Sequence, residues 1–154
     1  MNSQHRPIIL LLVLSVCLVF LACSGFAGGY EMLRDPNGTP MGMSVSVLEG
    51  TVFENYFVPG LLLIGIWGGG SVVTLIGLWL GPRWLHLSLL SEHWAWFFSV
   101  LLGLGLLVWL TYQVVTLPAV APIQIILYGL ACFLVGLPLV PPMRRYYRLK
   151  EQQA

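Results

Sequence analysis

The chain is 154 residues long, 58% apolar and only 8% charged, whereas a soluble domain averages roughly 45–50% apolar and about 25% charged residues. With a mean hydropathy of +0.87, this composition excludes an ordinary soluble protein and describes a polytopic chain whose apolar surface faces lipid. Seven Lys and Arg balance six Asp and Glu to a net charge of +1, and no run of either sign could track a phosphate backbone, so nucleic acid is not an expected partner. Cys17, Cys23 and Cys132 are odd in number and lie in apolar runs, which predicts free thiols and neither a disulfide framework nor a zinc site.

Pro7 suits the first turn of a helix, and Ile8 to Ala27 follows without a charge, enough to cross about 30 Å of hydrocarbon. The first span is therefore placed at about 8–27. Phe20-Leu21-Ala22-Cys23 is similar to a lipoprotein cleavage site, which leaves open removal of this segment as a signal peptide, although Phe fits its first position poorly.

Between 28 and 58 the composition turns polar, and an outer loop is expected there. In Asp35-Pro36-Asn37-Gly38 a turn has a mechanism: Pro presets φ, the Asp side chain accepts a backbone N–H two residues on, and Asn-Gly tolerates φ above zero. Ser44 to Tyr56 reads as a short amphipathic helix or a hairpin.

The second span, 60–80, is rich in glycine. Gly65 with Gly69, and Gly77 with Gly81, form small-xxx-small pairs that let a neighbouring backbone approach in lipid. The run Gly68-Gly69-Gly70 weakens the helix and predicts a local kink. It lacks the Gly-Lys-[Ser/Thr] of a phosphate loop. A third span is placed at 94–117, opening on Trp94 and Trp96 and ended by Pro118, and a fourth at 122–141 with a bend at Gly136 and Pro138. The tail, 142–154, is basic. Arg6, Arg83, Arg144, Arg145, Arg148 and Lys150 then share one side of the membrane and Arg34 alone occupies the other, which orients both termini to the cytoplasm.

The spans carry no charged residue, which removes the usual marker of a proton or ion path. Their polar residues, including Gln113, Gln124 and Tyr128, are expected to hydrogen-bond between helices, with contact to a ligand the alternative for Gln113. Asp35, Glu49 and Glu54 share the outer side with Gln113 and are the candidate catalytic residues if they converge over the bundle mouth; otherwise they keep the loop soluble. Asp35-x-Asn37-Gly38 starts like a calcium loop but lacks its remaining ligands. His86 and His93 would lie about 10.5 Å apart on a helix, too far to share one metal. Cys17 and Cys23, about 9 Å apart along one helix, cannot pair. No metal or cofactor is expected.

The stretch Met32-Leu33-Arg34-Asp35-Pro36-Asn37-Gly38, then Phe53-Glu54-Asn55-Tyr56-Phe57-Val58-Pro59-Gly60-Leu61 and Trp109-Leu110-Thr111-Tyr112-Gln113, resembles a group of small four-span bacterial membrane proteins with an Asp-Pro-x-Gly outer loop. The resemblance implies a bacterial inner-membrane protein and brings no activity, cofactor or catalytic residue with it.

The expectation is an all-α membrane protein, one domain of four transmembrane helices with an extracytoplasmic loop between helices 1 and 2. A non-enzymatic accessory or scaffold role is expected, with packing through Gly65, Gly69, Gly77 and Gly81 against the same bundle, a second copy or a membrane-protein partner. The rivals are an enzyme or binder of a lipid-like molecule at the outer leaflet, using Asp35, Glu49, Glu54 and Gln113, and a small oligomeric transporter of uncharged solutes.

Overall fold

The computed structural model describes residues 5–39, 42–80, 94–116 and 122–143. Helix α1 runs His5–Arg34, α2 Phe57–Leu62, α3 Gly70–Leu80, α4 Trp94–Thr116 and α5 Pro122–Leu139. Between α2 and α3 the chain stays helical but widens into a π-helical segment, Leu63–Gly69, so that α2, this segment and α3 form one rod. Four helices are long and apolar enough to cross a membrane, over Ile8–Arg34, Phe57–Leu80, Trp94–Val115 and Pro122–Leu139. The chain is an all-α, multi-pass membrane protein. Gly81, His86, His93, the turn before Pro122 and the basic tail from Arg144 lie outside the described residues.

Two expectations are refined. Helix α1 does not stop at Ala27 but continues through Gly28 and Gly29 to Arg34, so the loop begins at Asp35 rather than at 28. Tertiary packing overrides the low helix propensity of the glycines: Gly29 lies so close to α2 that a Cβ there would meet the Gly60 carbonyl oxygen at 2.8 Å. The segment Ser44 to Tyr56 forms a single 3₁₀ turn, Val45–Leu48, and neither a longer helix nor a hairpin.

Each rod buries one stripe and turns a wholly apolar face outward. Leu14, Leu18 and Leu21 of α1, Leu78 of α3 and Leu134 of α5 are buried, while Val16, Val108 and Ile125 are about 70% exposed. A bilayer covers such a face at little cost, because its chains are as apolar as the side chains themselves.

With no hydrophobic gain from leaving lipid, the helices are held by close approach and by hydrogen bonds. At Gly25 of α1 a Cβ would stand 2.6 Å from the Gly68 backbone nitrogen and 2.9 Å from the Leu63 carbonyl oxygen, so backbone rests on backbone. Gly77 of α3 admits the ring of Trp94, and Gly103 of α4 admits Val135 and Leu134 of α5. At the end remote from the loop, Trp79 Nε1 donates to Ser15 Oγ at 3.0 Å, Trp96 Nε1 to the Pro138 carbonyl at 2.6 Å, and Ser99 Oγ to the Leu134 carbonyl at 3.4 Å.

Candidate functional site

The glycines of α1 draw the π-helical segment to one side. Helix α4 reaches the second rod through long side chains, with Trp109 against Trp67 of that segment at a ring separation of 5.2 Å and Leu102 against Gly70 at the start of α3. A cavity of about 610 Å³ remains in the loop-bearing half of the bundle, within the size range of small-molecule sites. Its walls are Leu21, Ser24, Gly25 and Gly28 of α1, Leu63 and Trp67 of the π-helical segment, Leu106, Trp109, Leu110 and Gln113 of α4, and Ile123, Gln124 and Leu127 of α5. A π-turn in a membrane helix is a recurrent mark of a functional site, because the extra residue per turn resets which side chains face inward.

Two amides supply the polarity. Gln124 is 5% exposed and its Nε2 donates to Gln113 Oε1 at 3.3 Å. Near them, on the side of α4 and α5 that is more open, the hydroxyls of Thr111 and Tyr128 stand 3.1 Å apart. The π-helical junction also holds two buried polar atoms with no hydrogen-bond partner among the described residues, Trp67 Nε1 and Ser71 Oγ. Buried groups of this kind cost stability and are uncommon in native folds; of the two, Trp67 lines the cavity and Ser71 lies one turn further on, in α3.

The loop roofs the cavity with Gly42, Met43, Ser44 and Val47. Its hold comes from the expected turn: the Asn37 N–H donates to Asp35 Oδ1 at 3.0 Å and the Gly38 N–H to the Asp35 carbonyl at 3.0 Å. Gly38 has a φ of 80°, and a side chain there would also strike the ring of Tyr56. Tyr56 ties the two ends of the loop together. Its N–H donates to the Pro36 carbonyl at 2.9 Å and its hydroxyl to the Ser44 carbonyl at 3.1 Å. Burial pushes the Tyr56 phenol above its ordinary pKa by disfavouring the charged form. Phe53 lays its ring on Trp109 edge to face at 6.4 Å, which pins the roof to the cavity wall.

Of the four candidate catalytic residues, only Gln113 lines the cavity. Asp35 is engaged in its turn, Glu49 is exposed at the end of the 3₁₀ turn, and Glu54 lies on a separate surface hollow of about 440 Å³ with Asn55 and Phe57. Among the described lining residues there is no carboxylate, histidine or cysteine, so these supply no general acid or base. Of the packing glycines, Gly77 makes a tight contact within the chain, Gly65 faces open space, and Gly69 approaches only the carbonyl of Ile64 on its own rod. The cavity takes Leu63 and Trp67 from this rod and none of its glycines.

Sequence reasoning passed over Trp67, Gly25 and Gly28. An aromatic or a glycine in an apolar span carries no signal of which face it occupies, and Gly28 was expected in the loop; Trp67 lies in the π-helical segment, while Gly25 and Gly28 lie on α1. Cys17, Cys23 and Cys132 are free thiols. No protein-family model, curated protein or solved structure matches this chain.

Proposed function

We propose that this protein binds a lipid-like small molecule within the membrane, in the cavity between α1, the π-helical segment, α4 and α5. The observation that carries the reading is the cavity itself, about 610 Å³ of largely apolar space with the Gln113–Gln124 amide pair in its wall. An apolar body with a few placed polar groups is the usual design of a ligand site. The test is native mass spectrometry of the full chain released from nanodiscs, beside the Gly28→Phe variant. A Cβ at Gly28 meets only Leu63 Cδ1, at an ordinary 3.7 Å, so a side chain can start from there without striking backbone, and the Phe ring is expected to fill the space. A discrete adduct on the wild type that the variant loses is the expected result. An equal adduct on both, or none on either, overturns the reading.

Gly65 supports a second reading, a scaffold that associates through the outer face of its second rod. A neighbouring helix could approach there as closely as α1 approaches at Gly25. Gly65→Leu then lowers the fraction of dimer seen by energy transfer in vesicles, and an unchanged fraction removes this reading. The location proposed is a bacterial inner membrane with both termini in the cytoplasm and the 35–56 loop outside. Its support is the count of six basic residues against one across the two sides and the resemblance of the loop and span entries described above.

A further inference from the structure

The shape of the cavity limits what it can hold. Leu106 to Gln113 on α4 and Leu21 to Gly28 on α1 both mark its extent along the bundle, which is about 10 Å at 1.5 Å per residue. A volume of about 610 Å³ over that depth gives a mean cross-section on the order of 60 Å², larger than the cross-section of one extended hydrocarbon chain. At roughly 30 Å³ per water-sized group, the space takes on the order of twenty non-hydrogen atoms. It is about as wide as it is deep, the shape of a compact head rather than of a tail.

The wall chemistry narrows the head further. Trp109 and Trp67 present a tilted pair of indoles 5.2 Å apart in the cavity wall, and Trp109 also meets Phe53 edge to face, an aromatic lining that suits a flat ring. At the loop end Gln113 and Gln124 offer primary amides, each with two donors and a carbonyl acceptor, so that oxygens on a ligand can add to or exchange with the bonds they make. The described lining carries no charge, and a charged head would have to desolvate there without a counter-ion. Resting on the ligand-binding reading above, we infer that the ligand is an amphiphile with a planar, uncharged ring bearing carbonyl or hydroxyl oxygens, of quinone or phenol type. The ring lies against Trp109 with its oxygens at the amide pair, and its apolar tail leaves the cavity toward lipid.

The experiment places the full chain in phosphatidylcholine nanodiscs and titrates decylubiquinone, whose ring quenches indole fluorescence. Its controls are two amphiphiles with a ten-carbon chain, decanoate with a charged head and monocaprin with a flexible neutral one, both read by the shift in unfolding temperature. The expected result is saturable quenching at one quinone per chain, abolished in Gly28→Phe and weakened roughly three- to tenfold in Gln113→Leu, the usual loss for one hydrogen bond. Unfolding temperature rises with the quinone and not with the controls. Quenching that grows linearly without saturation, or that Gly28→Phe leaves intact, overturns the ring assignment. If decanoate or monocaprin stabilises the wild type but not Gly28→Phe while the quinone does neither, the cavity still binds and only the ring assignment falls. If no probe distinguishes the two proteins, both readings fall. Should Gly28→Phe fail to fold, Leu127→Trp fills the same space from α5.

Discussion

The two ends of the bundle solve the same packing problem in opposite ways. At the end remote from the loop, Gly77 takes in the ring of Trp94 and the indole N–H groups of Trp79 and Trp96 find acceptors on neighbouring helices. At the loop end the glycines Gly25, Gly29 and Gly60 bring two backbones together, and the same movement leaves α4 separated from the second rod by two mutually tilted indoles and a cavity. The difference shows how small residues act in a membrane: each close approach they permit is gained on one side of a helix and leaves space on the other unless a large residue fills it. Trp94 fills it at one end. At the other, Trp67 and Trp109 only wall it.

The largest test of this contrast compares two alanines three residues apart on α1. In Gly25→Ala the new Cβ meets the Gly68 nitrogen at 2.6 Å, and backbone cannot give as a side chain can, so stability falls by about 3 kcal/mol. In Gly28→Ala the Cβ enters ordinary contact at the cavity edge, and stability holds or rises by up to about 1 kcal/mol from helix propensity. Unfolding in mixed micelles measures both, and equal losses would mean that the loop end has no slack.

A smaller effect is expected at the closed end. Trp96→Phe removes the donor to the Pro138 carbonyl, with a loss of about 1 kcal/mol. The same measurement reads it, and hydrogen exchange should rise in the last turn of α5 and not in the roof. Exchange spread over both ends would contradict the separation of the two ends.

The smallest effect concerns the roof. Because burial raises the Tyr56 phenol above its ordinary value of 10.0, the neutral form is favoured in the folded loop. Its contribution is fully present below about pH 10, where the unfolded phenol begins to ionise, and is lost as pH rises through the folded value. Proteolysis of the 42–48 segment should therefore accelerate above about pH 10 in the wild type. Tyr56→Phe lacks the bond to the Ser44 carbonyl and is expected to be cut faster at neutral pH without that alkaline step. An alkaline step of the same size in Tyr56→Phe would assign it to another group.

The turn at Asp35-Pro36-Asn37-Gly38 was readable because each of its residues acts on its immediate neighbours, and the structure gives the expected Asp35 acceptor and the positive φ at Gly38. Gln113 was readable as a polar residue in an apolar span, since such a residue needs a partner wherever it falls. Asp35, Glu49 and Glu54 illustrate the limit. Sharing one side of a membrane does not bring carboxylates to one point, and loop geometry leaves all three off the cavity lining.

Composition and the lengths of the apolar runs alone determined the class of this protein, because hydrocarbon about 30 Å thick demands about twenty apolar residues per crossing whatever the helices touch. The place of the cavity was decided only by the tertiary structure. It depends on the π-turn at Leu63–Gly69 and on which side of α1 the rod approaches. Those are choices between faces of helices that are apolar all round, and in lipid no hydrophobic gradient marks one face for burial.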